Sequence, residues 1–179
     1  GEAIAHDLWI VVHQDSQLTA IENTQTRPGA LNVWLKVDSG MHRAGFEPDL
    51  VKAVYARLKA CLGVGQITFM SHFACADEPD NKMTQNQIEV FDIATAGLPG
   101  DRSLANSGGI LAWPKAHRDW ARPGILLYGA DPMPNRNHGL KAVMTLQSQV
   151  FAIRTLMPGQ SLGYAATFTS QKPTRVGLV

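Results

Sequence analysis

Short apolar runs alternate with amphipathic helical segments along most of this chain, and that alternation constrains the fold more than any other feature. The strand-like runs are LWIVVH at 8–13, LNVWLKV at 31–37, QITFMSHF at 66–73, SLANSG at 103–108 and GILLYG at 124–129. The clearest helical segment, 47–62, has apolar residues at the 3.6-residue period: Leu50, Val51, Val54, Leu58 and Leu62. Strands that alternate with helices at this spacing predict βα units and an α/β fold with five parallel strands.

The pattern changes after Gly129. The segment DPMPNRNHG is rich in proline and asparagine and is typical of a linker. Beyond it, 142–156 shows strand-like alternation with no helix beside it, and the segments up to RVGLV at 175–179 predict further strands and turns. We therefore expect a βα domain over 1–131, a linker over 132–138 and the start of a β-rich domain over 139–179.

Composition excludes several classes of function. The formal net charge is +1 and 17% of the residues are charged, so no strongly basic surface for nucleic acid or an anionic membrane is expected. No apolar run approaches the roughly 20 residues that span a bilayer. The two cysteines, Cys61 and Cys75, predict neither a disulfide framework nor a metal site, and they fit a reducing, cytoplasmic compartment.

Charged and glycine-bearing segments follow the second, third and fourth predicted strands. Open α/β sheets and (β/α)8 barrels both bind ligands at the carboxyl ends of their strands. Lys36 lies inside an apolar strand and needs a partner or a modification there. Arg43 is suited to bind a carboxylate through two hydrogen bonds. The alternative for this segment, which also contains Asp38, is an ordinary βα loop with a salt bridge.

Two further loops carry candidate binding groups. The segment NSGG at 106–109 opens a helix, whose free N–H groups favour an anion such as phosphate, and Gly124 and Ile125 offer a second pair of N–H groups. The alternative at Asn106 is a plain helix cap. His72 ends the third strand, where a hydrogen-bonded structural role is the alternative to a functional one, and Tyr164 alone would be a packing residue.

Five segments, taken together, resemble the alanine racemase family, whose members use pyridoxal 5'-phosphate (PLP). They are KVDSGMHRAGF, SHFACADE, LANSGGIL, RPGILLYG and PGQSLGYAATF, in the family's order over residues 36–168. The resemblance implies the C-terminal part of a PLP-binding (β/α)8 TIM-type barrel followed by the start of a β-rich domain. It also implies interconversion of L- and D-alanine by a two-base mechanism in a homodimer that shares its active sites across the interface. The departures are Ala44 and Ala165, and the second lies beside a matched catalytic position.

The resemblance assigns roles to the charged residues and the tyrosine. Lys36 matches a lysine that is carbamylated in many members, and its carbamate would hold Arg43. Arg43 matches the arginine that contacts the phenolic oxygen of the cofactor and the substrate carboxylate. Tyr164 matches the base that handles the Cα proton on the L-alanine face, acting across the dimer interface.

The remaining roles concern the cofactor. Arg122 matches the arginine at the pyridine nitrogen, and since an arginine keeps its proton at neutral pH, that nitrogen would stay unprotonated. This weakens the electron sink of PLP and limits side reactions such as transamination. His72 matches the residue bonded to that arginine, and Asn106 lies beside the cofactor. The phosphate cradle is matched by Ser107, Gly124 and Ile125.

The family forms its bond to PLP through a lysine in a segment like KANAYGHG, and no such segment occurs in these 179 residues. The resemblance therefore implies the central portion of a longer racemase, inactive by itself. Two alternatives stay open: a non-catalytic PLP-binding or structural fragment, and a racemase of broader amino-acid specificity. Supply of D-alanine for peptidoglycan and alanine catabolism are both compatible roles.

Overall fold

The computed structural model of the chain describes residues 1–133 and 136–179. They form two compact units, Gly1–Val143 and Met144–Val179. The predicted linker, 132–138, contains residues 134 and 135, which lie outside the described part of the chain. The expected domain limits, 1–131 and 139–179, stay predictions.

A four-stranded parallel sheet organises the first unit. Its strands are β1 (Ile10–Val12), β2 (Leu31–Lys36), β3 (Val64–Met70) and β4 (Arg102–Ser103). Its α-helices are α1 (Glu2–Ala5), α2 (Asp15–Glu22), α3 (Val51–Ala60), α4 (Lys82–Thr95) and α5 (Ser107–Ala112), and its 3-10 turns are Pro48–Leu50, Pro114–Ala116 and Ile125–Tyr128. Each strand pairs in parallel with the next strand along the chain, β1-β2-β3-β4, which is the strand order of a barrel and not of a doubly wound sheet.

The two faces of β2 have different neighbours, because successive side chains of a strand point to opposite sides. Leu31, Val33 and Leu35 are buried in the hydrophobic core. On the other face, the Trp34 ring lies 5.9 Å from the Trp9 ring and 5.5 Å from the Trp120 ring, measured between centroids. Lys36 shares the face of Trp34, so the strand carries this lysine away from the core and towards the loops at its carboxyl end.

Helix α3 packs on the core through part of the predicted apolar stripe. Val51, Val54 and Leu58 are buried, as the 3.6-residue period predicts. Leu50 and Leu62 are exposed, since the α-helix begins after Leu50 and ends at Ala60. The periodic pattern is therefore confirmed inside the helix and fails where it runs past the helix ends.

The predicted fifth strand, GILLYG, is wrong. Residues Ile125–Tyr128 form a 3-10 turn, in which the Leu127 N–H donates to the Gly124 carbonyl at 3.1 Å and the Gly129 N–H to the Leu126 carbonyl at 3.0 Å. Gly129 ends the turn with a φ of 75°, a left-handed conformation that glycine adopts without strain. A short apolar run does not by itself separate a strand from a helical turn, and the described residues therefore contain four parallel strands, not five.

The second unit is built from two antiparallel pairs. Strand β5 (Ala152–Leu156) pairs with β8 (Thr174–Leu178), and β6 (Ser161–Leu162) pairs with β7 (Phe168–Thr169), with a 3-10 turn at Tyr164–Ala166. The β-rich character predicted for this part is confirmed. The predicted strand at 142–156 forms only over its last five residues; 142–151, although described, contains no helix or strand, and Leu146 there is 96% exposed.

We expect Phe91→Ala in the full-length protein to lower the free energy of unfolding by about 3–5 kcal/mol, because Phe91 on α4 is fully buried and its loss leaves a cavity. Ile93 lies two residues away on the same helix and is 74% exposed. Ile93→Ala is therefore the control, with an expected loss of less than about 0.5 kcal/mol. Chemical denaturation monitored by circular dichroism measures both, and equal losses would contradict the packing of α4.

Candidate active site

The loops after β3 and β4 and the turn at 124–125 surround a cleft of about 300 Å³. We call it the strand-tip cleft, and it is lined by His72, Asp77, Asn106, Ser107, Gly108, Arg122, Gly124, Ile125 and Pro132. Six residues that the sequence singles out therefore lie together in one place: His72, Asn106, Ser107, Arg122, Gly124 and Ile125. They come from segments separated by up to 53 positions in the chain.

The Arg122 guanidinium is fixed by four acceptors at one side of the cleft. It donates to the Ser103 hydroxyl, to the Ser71 carbonyl, to the Leu104 carbonyl at 3.4 Å and to His72 Nδ1 at 3.4 Å. Its main chain is held as well, since the Arg122 N–H donates to the Ala105 carbonyl at 2.9 Å. Burial lowers the pKa of Arg122 to about 10, so the side chain still carries its proton at neutral pH.

His72 is a neutral imidazole in this setting. Burial, followed by the positive charges of Arg122, Lys36 and Arg43, lowers the pKa of His72 to about 4. Because Nδ1 faces an Arg122 N–H, that nitrogen accepts, and the ring proton is assigned to Nε2. The hydrogen bond to an arginine that the resemblance implies is therefore present.

We expect the His72 ring to stay neutral from pH 8 down to about pH 5. Its folded pKa, about 4, lies below the ordinary value of 6.5, so the unfolded chain binds a proton that the folded chain does not. His72 therefore makes the folding stability rise with pH between about 4 and 6.5. A histidine NMR titration measures this, with His72→Asn to assign the signal; a midpoint near pH 6.5 would contradict it.

The first turn of α5 and the turn at Gly124 lie next to each other at the cleft, and we call them the cradle. Asn106 Oδ1 accepts the Gly109 N–H at 3.0 Å, so the predicted helix cap is confirmed. The Ser107 hydroxyl accepts the Gly124 N–H at 3.0 Å and thereby ties the two loops together. The backbone N–H of Ile125 has no acceptor among the described residues, and the N–H groups that begin α5 have none inside the helix.

Only glycine fits at one point of this cradle. A Cβ on Gly108 would lie 2.8 Å from the Ala76 carbonyl carbon and 2.9 Å from the Asp77 nitrogen, both of them backbone atoms. The loop after β3 therefore packs directly on the start of α5. Free N–H groups, a hydroxyl and close backbone approach are the features that a phosphate group requires, so these residues fit PLP.

The Lys36 side chain has no hydrogen bond or ion pair with any residue in 1–133 or 136–179. Burial is the main cause that lowers its pKa, followed by the positive charges of Arg122 and Arg43, and Asp38 opposes them. Arg43 is exposed. Lys36, Arg122 and Arg43 thus lie near one another, and their mutual repulsion favours the neutral amine of Lys36. The predicted modification of Lys36 stays a proposal.

The Asp38 carboxylate binds the backbone of its own loop and pairs with neither Lys36 nor Arg43. Its Oδ1 accepts the N–H groups of Gly40 and His42, both at 3.0 Å, and its Oδ2 lies 3.7 Å from the His42 ring. Burial favours the neutral carboxyl, but these donors outweigh it and lower the pKa of Asp38 below its usual range. Gly45 closes the same loop at a φ of 128°, where a Cβ would lie 2.6 Å from the Asp38 nitrogen.

Tyr164 belongs to the second unit and is fully exposed there. It lies in the 3-10 turn and not in a strand, so within this unit the interpretation as a packing residue is wrong. Ala165 and Ala166 follow with φ angles of 60° and 49°. Glycine adopts this left-handed conformation without strain, whereas the Cβ of an alanine makes it less favourable, and nothing in the structure explains the alanine at 165.

Three polar residues of the site were missed by the sequence analysis. Ser71 and Ser103 hold Arg122, and Gln87, only 1% exposed, bonds the loop after β3. A signal existed for Gln87, because it occupies the apolar stripe of α4 beside Ile88 and Phe91. Ser71 gave none, since a serine next to a candidate histidine is ordinary loop composition.

No group of three histidine, cysteine or acidic side chains within the described ranges could hold a metal ion. No helix there is long and apolar enough to cross a membrane. Cys61 and Cys75 are both free thiols.

Comparison with known proteins agrees with this geometry. Residues 1–132 match the model of the alanine racemase N-terminal domain, and residues 143–179 match that of the alanine racemase C-terminal domain. Alanine racemases of Azoarcus sp. (strain BH72) and Aromatoleum aromaticum are 55% and 56% identical to the chain over 179 residues, 99% of the chain. The chain spans about half the length of these curated relatives, 50% in each case.

Solved structures show the same fold. The biosynthetic alanine racemase of Pseudomonas aeruginosa matches 98% of the chain with a TM-score of 0.85 and 42% identity, over 50% of its own length. That of Bartonella henselae, with covalently bound pyridoxal phosphate, has a TM-score of 0.78 at 24% identity, over 98% of this chain and 50% of its own. The predicted fold class, part of a (β/α)8 barrel followed by the start of a β-rich domain, is confirmed. The chain belongs to the alanine racemase family.

Proposed function

We propose that the full-length protein carrying these residues interconverts L-alanine and D-alanine with PLP as cofactor. The observation that carries the proposal is the strand-tip cleft. The Arg122–His72 pair and the cradle residues Ser107, Gly124 and Ile125 line it together. The 55% identity to an alanine racemase over nearly the whole chain supports the same reaction.

Different residues of the cleft would bind the phosphate, the pyridine nitrogen and the ring of PLP. The Ser107 hydroxyl, the N–H groups that begin α5 and the Ile125 N–H would hold the phosphate, and Arg122 would donate to the pyridine nitrogen. His72 and Asn106 would lie beside the ring. When bound, PLP supplies the electron sink that makes the Cα–H bond of an amino acid acidic.

Arg122 would set the strength of that sink. Its pKa of about 10 keeps the guanidinium protonated at neutral pH, so it donates a hydrogen bond but does not give up a proton. Four contacts to Ser103, Ser71, Leu104 and His72 fix its direction. The residue would thereby keep the pyridine nitrogen unprotonated and suppress side reactions.

Lys36, Arg43 and Tyr164 would act on the substrate. A neutral Lys36 amine adds CO₂, loses a proton and becomes a carbamate, which would pair with Arg43. Arg43 would hold the alanine carboxylate, and Tyr164 would remove and return the proton at Cα on the L-alanine face. We propose further that the protein is a cytoplasmic homodimer with shared active sites. The D-alanine would serve peptidoglycan synthesis or alanine breakdown.

A racemisation assay of the purified full-length protein tests the proposal. L-alanine is added with and without PLP, and D-alanine is measured by chiral chromatography, alongside a panel of other amino acids. PLP-dependent formation of D-alanine is the expected result. Equal racemisation of several amino acids would replace alanine by a broader substrate class, and no racemisation of any of them would reject the proposal.

A further inference from the structure

Gln87, on the buried side of α4, contacts the loop after β3, which carries His72. Gln87 is 1% exposed, and burying a carboxamide costs free energy unless its polar atoms have partners. Both ends have them. Gln87 Oε1 accepts the Ala74 N–H at 3.0 Å, and Gln87 Nε2 donates to the His72 carbonyl at 2.9 Å. The side chain therefore clamps the backbone on either side of Phe73, immediately after the imidazole of the site.

The same carboxamide reaches the loop after β2. Gln87 Nε2 lies 3.5 Å from the Ser39 hydroxyl, which lies 2.7 Å from the Ser71 hydroxyl, and Ser71 donates to the Val37 carbonyl at 2.9 Å. Since Ser71 gives its one hydroxyl proton to Val37, Ser39 must donate to Ser71 and accept from Gln87. We call Gln87, Ser39 and Ser71 the tip network, and its hydrogen bonds run in one direction.

Two residues that Gln87 and the tip network hold, His72 and Ser71, orient Arg122. The Ser71 carbonyl accepts from the Arg122 guanidinium, and the His72 ring accepts from it through Nδ1. Both acceptors belong to residues whose backbone or hydroxyl the network fixes. Ser39, the middle member of the network, lies in the loop that also carries Arg43, four residues further along.

We propose that Gln87 is a positioning residue of the active site. Through the tip network it holds His72 and Arg122 in register with the loop that carries Arg43. The expected effect on kcat rests on the proposed racemase function. The hydrogen bonds of Gln87 to His72 and Ala74 do not depend on that function.

The test compares Gln87→Met with two controls on α4 in the full-length protein. Methionine keeps the volume and removes the hydrogen bonds. Thr84→Val changes an equally buried side chain whose hydroxyl has no partner among the described residues, and Ile88→Val opens a small gap beside Gln87. Measured quantities are amide hydrogen exchange of peptides covering 72–76, PLP affinity, kcat, KM for L-alanine and the thermal midpoint.

We expect Gln87→Met to speed exchange at 72–76 by about tenfold or more and to lower kcat by about ten- to a hundred-fold, with KM within about threefold. Both controls should keep the exchange rate and kcat within about twofold of the unmodified protein. This should hold for Ile88→Val even if its thermal midpoint falls as far as that of Gln87→Met. Unchanged exchange, faster exchange with unchanged kcat, or the same losses in Ile88→Val would each overturn the inference. If the unmodified protein does not racemise alanine, the proposed function fails, and exchange together with PLP affinity still decides the role of Gln87.

Gln87→Glu provides a second variant if the methionine protein does not fold. A neutral carboxyl is nearly isosteric with the carboxamide and can donate to the His72 carbonyl, whereas an ionised one cannot. The kcat of this variant should therefore fall, relative to the unmodified protein, as the pH rises. A pH profile parallel to that of the unmodified protein would overturn the inference.

Discussion

Tyr164→Phe is expected to lower the kcat for L-alanine racemisation by about a hundred- to ten-thousand-fold, the range typical of a lost general acid–base group. Phenylalanine keeps the ring but removes the hydroxyl that would exchange a proton with Cα. Tyr164 is fully exposed within its own unit, so the change should cost little stability. A stopped assay with chiral separation of the alanine enantiomers measures kcat.

The affinity for PLP should stay within about twofold in the same variant, because the residues proposed to hold the cofactor all lie in the first unit and Tyr164 lies in the second. Tyr55→Phe is the matched control. Tyr55 stacks on Phe69 with ring centroids 5.5 Å apart and lies outside the strand-tip cleft, so its hydroxyl should not affect kcat. Loss of bound PLP in Tyr164→Phe would show that the residue has a structural role.

Arg122→Lys should lower kcat by about a hundred-fold or more, although the charge is conserved. Lysine presents a compact ammonium and cannot reach Ser103, Ser71 and His72 at once in the way that the planar guanidinium does. The directed hydrogen bond to the pyridine nitrogen is thereby lost. An ammonium also gives up its proton more readily than a guanidinium, so transamination, measured as pyruvate released from alanine, should increase.

Arg118→Lys controls for the chemistry of the substitution. Arg118 pairs with Asp92 at 3.0 Å on the surface, and exposed ion pairs contribute little to stability. We expect its kcat to stay within about twofold. Arg122→Lys with full activity and no pyruvate would show that the guanidinium does not set the state of the cofactor.

Sequence alone predicted the strand tips well, because the rule that parallel strands carry ligands at their carboxyl ends depends only on topology. His72 and Ser107 lie near the carboxyl ends of the third and fourth predicted strands, and the structure gathers them with Arg122 in one cleft. The number of strands was predicted less well. Ile125–Tyr128 has the composition of a strand, yet backbone hydrogen bonds of the turn decide its conformation.

Hydrophobic periodicity could single out Gln87 as a polar residue in an apolar stripe, but it could not identify its partners or the roles of Ser71 and Ser103. Ser71, Ser103 and Gln87 matter through pairings with residues 15 to 51 positions away, and such pairings depend on three-dimensional packing. The pairing of Lys36 with Arg43 also stays a prediction, since Arg43 is exposed and Lys36 has no ion pair within the described residues.

The most direct measurement is a crystal structure of the full-length protein with PLP. We expect a phosphate oxygen within about 3.2 Å of the Ser107 hydroxyl and of the Ile125 nitrogen, with the Arg122 guanidinium donating to the pyridine nitrogen. PLP bound away from the strand-tip cleft, or a carboxylate in place of Arg122 at the pyridine nitrogen, would contradict this expectation.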